Sequence, residues 1–180
     1  MARTDSKDQI LTGALRLARE QGGRAITLEA AAREAGLTKP GLMYHYGTKD
    51  ALMLAVVEHV VSQWVESLRE ALGGDPEGAS AQARMRAYVD VVLAGTFDRA
   101  DFAITAYSST DDELAAVWRK GLAPWFHMPD DLDAATRVRL TTVRFAADGL
   151  WVADATNSMD VPHYDRAQLR EQLYRLIDGQ

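Results

Sequence analysis

The 180-residue chain holds four histidines, His45, His59, His127 and His163, and no cysteine. Histidine is the side chain that changes charge near neutral pH and the commonest metal ligand. No two of the four stand at metal-ligand spacing, so no metal site is expected. The sequence also lacks a Gly-rich phosphate loop, a nucleophile-elbow serine and an HExxH run. His127 with Asp130 and Asp131 comes nearest to a catalytic group, and a polar loop after Pro124 accounts for the same residues. Without cysteine there is no disulfide, no thiolate zinc site and no thiol nucleophile. The chemistry that remains is recognition, and it gathers between Thr27 and Leu52. There a short helix, a turn at Gly36 and a second short helix make a helix-turn-helix pattern. The second helix of such a pair has the width of the DNA major groove, where each base pair shows a distinct set of donors and acceptors. A plain helical hairpin in a bundle would show the same pattern.

The elements that must position this pair are legible from apolar spacing. Ile10, Leu11, Ala14, Leu15 and Ala18 form one stripe of a helix over about 8–20, ended by Gly22 and Gly23. Thr27 offers a hydroxyl to cap the next helix, with Glu29 in its first turn. Leu28, Ala31, Ala32 and Ala35 are its inner face, small enough for close helix approach, and Gly36 stops it. Thr38 caps the third helix, with Pro40 in its first turn, where no intrahelical donor is lost. Thr48 caps a long helix from about Lys49 to Leu72, and Gly73-Gly74-Asp75-Pro76 reads as a loop. Further helices are predicted over about 80–96, 100–109, 111–123, 133–156 and 165–178. Pro124 and Pro129-Asp130-Asp131 delimit a loop, and Asn157 and Pro162 precede the last helix. No alternating β-branched run is bounded by hairpin signals. The fold class expected is all-α: an N-terminal three-helix helix-turn-helix head on a C-terminal helical bundle, about nine helices in total.

Composition is that of an ordinary globular protein, with 47% hydrophobic and 26% charged residues. No stretch approaches the ~20 apolar residues of a membrane span, and Met1 to Asp5 do not open a secretory signal. A cytoplasmic protein without a membrane partner is the simplest expectation. The net charge of -6 hides an asymmetry: residues 1–50 carry 8 Lys/Arg against 6 Asp/Glu, and residues 51–180 carry 12 against 20. A mildly basic head on an acidic body suits a chain whose first part alone meets an anion, although chance gives the same split.

The run Thr27 to Leu52, TLEAAAREAGLTKPGLMYHYGTKDAL, resembles the DNA-binding signature of TetR-family transcriptional regulators. The preceding helix and its Gly22-Gly23 end stand at that family's spacing. The match covers about the first 55 residues; the rest agrees in length and helical character. The resemblance implies a helix-turn-helix DNA-binding domain over 1–50 and a ligand-binding and dimerisation domain over 51–180. It implies that Thr27 opens the second helix against a phosphate. Thr38, Lys39, Pro40 and Gly41 would form the start of the recognition helix, Lys39 reaching a guanine edge or a phosphate. His45 and Lys49 match positions that meet phosphate, and Leu42 and Tyr46 match buried ones. One departure stands at Met43, where the family usually has a tyrosine whose hydroxyl meets DNA. Methionine cannot donate that bond, and Tyr44 lies about 100° further round the helix.

The partners so implied are double-stranded DNA with a palindromic operator, a second copy of the chain, and a small-molecule effector; no cofactor is implied. The last two helices supply the candidate dimer face, through Val138, Leu140, Val143, Ala146, Ala147, Leu150 and Ala153 around Gly149, and through Leu169, Leu173, Leu176 and Ile177. An interior glycine costs about 1 kcal/mol relative to alanine, which close approach of another helix would justify. Aromatics concentrate beyond residue 50. Trp64, Met85, Tyr88, Val92, Tyr107, Trp118, Trp125, Phe145 and Trp151 are the candidate lining of an apolar pocket, with Ser108, Arg144 and Asp148 as polar partners. Arg144 and Asp148, four apart on one helix, can instead pair with each other. The function expected is a homodimeric repressor released from its operator by a small apolar or aromatic molecule. A helical interaction module with lost or altered DNA binding, and a small helical enzyme, are the alternatives.

Overall fold

The computed structural model describes residues 6–157 and 164–180. Met1 to Asp5, Pro162 and His163 lie outside the described residues. The described chain is all-α. Its helices are α1 (Ser6–Gln21), α2 (Leu28–Glu34), α3 (Lys39–His45), α4 (Lys49–Leu72), α5 (Ala81–Ala94), α6 (Arg99–Ser108), α7 (Asp112–Phe126), α8 (Ala134–Thr156) and α9 (Arg166–Asp178). Short 3-10 turns stand at Gly23–Ala25 and Pro76–Gly78. The expected helices are all present with ends shifted by a residue or two, save at one place. Pro124 does not delimit a loop: α7 runs through it to Phe126. The bond that proline forfeits falls in the helix's last turn, where the carbonyls can find other donors.

The chain forms two compact units, Met1–Ser62 with Asp98–Arg119, and Gln63–Phe97 with Lys120–Gln180. The boundaries between them fall within α4, between Phe97 and Asp98, and within α7. In the first unit α1 packs against α2 and α6, and α2 against α3. Ile10, Leu17, Ile26, Leu42, Leu52, Val56 and Ile104 are buried there to within 1%. The second unit is built on α5, which packs against α8 and α9, themselves in contact. Predicted from the stripe Met85, Tyr88, Val89, Val92 and Leu93, α5 in fact also buries Ala81, Arg84, Ala87 and Val91. A helix covered nearly all round is a central one.

Among the described residues one helix, α4, is long and apolar enough by length and composition to cross a membrane. The sequence reading expected none. The apolar side chains responsible, Leu52, Met53, Val56, Val57, Val60, Trp64 and Leu68, are buried in the fold. They are what a core helix carries.

Candidate nucleic-acid interface and aromatic cluster

Three threonines set the geometry of the helix-turn-helix. Thr27 Oγ1 accepts from Ala30 N at 3.1 Å, Thr38 Oγ1 from Gly41 N at 3.2 Å, and Thr48 Oγ1 from Ala51 N at 3.1 Å. Each satisfies one of the donors left over at a helix start, while the hydroxyl hydrogen stays free to meet an acceptor. Between α2 and α3, Gly36 takes φ 67°, and Leu37 N closes back on Ala32 O at 2.8 Å. That left-handed turn is cheap for glycine alone.

Leu42 is fully buried and pins α3 to the unit. Tyr46 is half-buried. Lys39, Pro40, Met43 and Tyr44 stand in solvent, while Gly41 and His45 are half-buried. Tyr44 is 88% exposed and Met43 only 42%. The phenol is therefore present on the helix surface one residue beyond the position where the resemblance places it. Its ring meets His45 edge-on at 5.4 Å.

Lys39 is not a free cation. Its ammonium pairs with the Glu29 carboxylate of α2. That bond holds the Glu29 carboxyl below its usual range. Glu29 was visible in the sequence only as a first-turn acid, because its partner lies on another helix. Lys49 opens α4, with its ammonium 5.6 Å from the centre of the Tyr107 ring.

The second unit holds a cluster of rings. Trp64 stacks on Phe97 with centroids 3.8 Å apart, and Trp151 meets Trp64 edge-on at 5.5 Å. Tyr88 lies 6.2 Å from Trp64 and 4.9 Å from Phe126. The Arg144 guanidinium sits 3.5 Å over the Phe126 ring and 3.6 Å from Asp148. The Tyr88 hydroxyl donates to Asp148. Burial, then the charge of Asp148, pushes the Tyr88 phenol well above its usual range, so it stays a donor. Among the described residues the buried Trp64 indole N–H has no hydrogen-bond partner.

Six of the nine residues proposed as pocket lining belong to this unit and are buried or half-buried: Trp64, Met85, Tyr88, Val92, Trp125 and Trp151. Three are placed otherwise. Phe145 is 68% exposed, on the face of α8 opposite its buried Val143 and Ala147. Tyr107 and Trp118 belong to the first unit, as does Ser108, whose hydroxyl donates to Ile104 O within α6. Residue type and position in the chain cannot tell which face of a helix is covered. Phe97 and Phe126, which complete the cluster, are not among the nine. His127 is exposed, and its backbone oxygen accepts from Arg84; among the described residues no group of His, Asp or Glu is set to hold a metal.

Residues 10–56 match the family model described as bacterial regulatory proteins, tetR family, and residues 82–178 match the one described as tetracyclin repressor-like, C-terminal domain. No curated protein matches the chain by sequence. Solved structures share the fold. A member of the TetR family from Streptomyces coelicolor A3 is 22% identical with a TM-score of 0.64, over 97% of this chain and 99% of that one. A protein assigned as a transcriptional regulator from Saccharomonospora viridis, bound to choline, is 18% identical with a TM-score of 0.71, over 99% and 98%. The multidrug binding protein EbrR bound to ethidium is 21% identical with a TM-score of 0.60, over 96% and 98%.

Proposed function

Because the chain belongs to the tetR family of bacterial regulatory proteins, we propose that this transcriptional regulator is a cytoplasmic homodimeric repressor, released from a palindromic operator by a small apolar or aromatic molecule. The observation that carries DNA reading is α3: capped at Thr38, anchored by Leu42, and exposed along Lys39, Pro40, Met43 and Tyr44. Residues 1–50 are the reading head, with Thr27, His45 and Lys49 on phosphates, Lys39 on a phosphate or a guanine edge, and Gly41 allowing close backbone approach. Residues 51–180 hold the effector and the dimer contact.

The ring cluster with its unpartnered Trp64 N–H supports an aromatic or apolar effector. Two proteins of the same fold bind choline and ethidium. Val138, Phe145 and Leu176 are exposed apolar side chains on α8 and α9, and nothing stands within 4 Å of a Cβ at Gly149. Such a face suits a second copy related by a two-fold axis, and a two-fold protein reads a palindrome. Helix α4 is one continuous rod from Lys49 to Leu72. Effector-driven movement along it changes the spacing of the two heads, a coupling of typically ~1–3 kcal/mol.

The test is selection of duplexes from random sequence by the full-length protein, followed by electrophoretic shift at two salt concentrations. A discrete band that specific but not random competitor removes is expected, with Lys39→Ala losing affinity and reducing the salt slope by about one phosphate contact per subunit. Failure of any duplex to be enriched would leave a helical interaction module that no longer reads DNA.

A further inference from the structure

Helix α6 packs on α1 and on the Gly23–Ala25 turn that joins α1 to α2. The approach leaves no room for a side chain: a Cβ on Gly23 would stand 2.8 Å from Tyr107 Cβ and 3.0 Å from the Ala103 carbonyl oxygen. Tyr107 is thereby fixed in the unit that carries the helix-turn-helix. Its ring faces the Lys49 ammonium at 5.6 Å, within the range of a cation–π contact. Lys49 is the first residue of α4, behind the Thr48 cap, where the free N–H groups and the helix dipole also favour an anion.

A free lysine samples many rotamers and loses them when it meets a phosphate. A ring on one side of the ammonium narrows that sampling beforehand and leaves the remaining N–H donors to solvent. We infer that Tyr107 of α6 is the positioning residue for the phosphate contact of Lys49, held in place because residue 23 is glycine. The inference rests on the reading of Lys49 as a phosphate contact.

The experiment is an anisotropy titration of the full chain with a labelled mixed-sequence duplex of about 30 base pairs, over a series of salt concentrations. It compares the native protein with Lys49→Ala, Tyr107→Met, Tyr107→Phe and the double variant Lys49→Ala/Tyr107→Met. Lys49→Ala, which removes one phosphate contact from each head of the dimer, is expected to reduce the salt slope by about 1.8. Tyr107→Met, which keeps side-chain bulk without a ring face, is expected to weaken binding about three-fold, and Tyr107→Phe to restore it. In the Lys49→Ala background, Tyr107→Met is expected to change nothing. An equal loss from Tyr107→Met with and without Lys49 would show a merely structural role and overturn the inference, as would unchanged or tighter binding by Tyr107→Met. An unaltered salt slope in Lys49→Ala would overturn the phosphate reading itself and the inference with it. Thermal melts run alongside; should Tyr107→Met not fold, Tyr107→Leu takes its place under the same criteria.

Discussion

Arg84 is 5% exposed, and its guanidinium is spent on backbone. It donates to the carbonyls of Trp125 at 3.3 Å and Pro76 at 3.2 Å, and to those of Ala79 and His127. Two of these acceptors stand at the end of α7 and two in the turn between α4 and α5. The five N–H donors of arginine, fixed in one plane, suit such a fan of acceptors. Burial lowers its affinity for the proton, and the four bonds offset that cost. Arg84→Met should therefore destabilise the fold by roughly 2–4 kcal/mol in urea unfolding, since buried carbonyls left without donors cost about 1–3 kcal/mol each before relaxation. Arg84→Lys should recover only part of it, because three donors on a point cannot span the same acceptors. At this scale the sequence spoke clearly for local bonds and poorly for distant ones. The caps at Thr27 and Thr38 join residues three apart and were legible. The partners of Arg84, Lys39 and Tyr107 come from other elements and were not.

Helix α6 begins with a reciprocal capping box: Asp98 accepts from Ala100 N at 2.7 Å, and Asp101 accepts from Asp98 N at 2.9 Å. Asp101 is 8% exposed, and its carboxyl is pushed above its usual value, first by burial. A carboxyl whose folded pKa lies above the unfolded one favours folding where it keeps its proton. That contribution is full below the unfolded value and is lost as pH rises through the folded value. At neutral pH the buried carboxylate is thus a burden. Asp101→Asn, whose amide oxygen still accepts from Asp98 N, should raise Tm by roughly 1–3 °C at pH 7 and leave it unchanged near pH 3. An equal shift at both values would assign the effect to packing. Element ends were otherwise read well because caps, glycines and prolines act locally. Pro124 is the exception, because a proline in a final turn removes one bond without ending the helix.

For the whole molecule the deciding question is what covers α8 and α9. Val138 and Phe145 are 64% and 68% exposed, and Leu176 is 40% exposed. Phe145→Glu puts a charge on that face twice in a two-fold pair. It should weaken self-association at least about 100-fold in sedimentation velocity, with helical content unchanged. A dimer that survives the substitution would place the contact elsewhere. Sequence alone determined the all-α class, the order of the helices, and the helix-turn-helix with its caps. These depend on apolar spacing and end residues, which act within a few positions. It could not determine which aromatic faces which unit. Tyr107 and Phe97 are both aromatic residues near α6, yet one lies by Lys49 and the other on Trp64. Nor could it show that Lys39 is already paired, or that α6 shares a compact unit with the helix-turn-helix. Those outcomes depend on which helix faces meet, and contact between distant segments is fixed only when the packed chain excludes the alternatives.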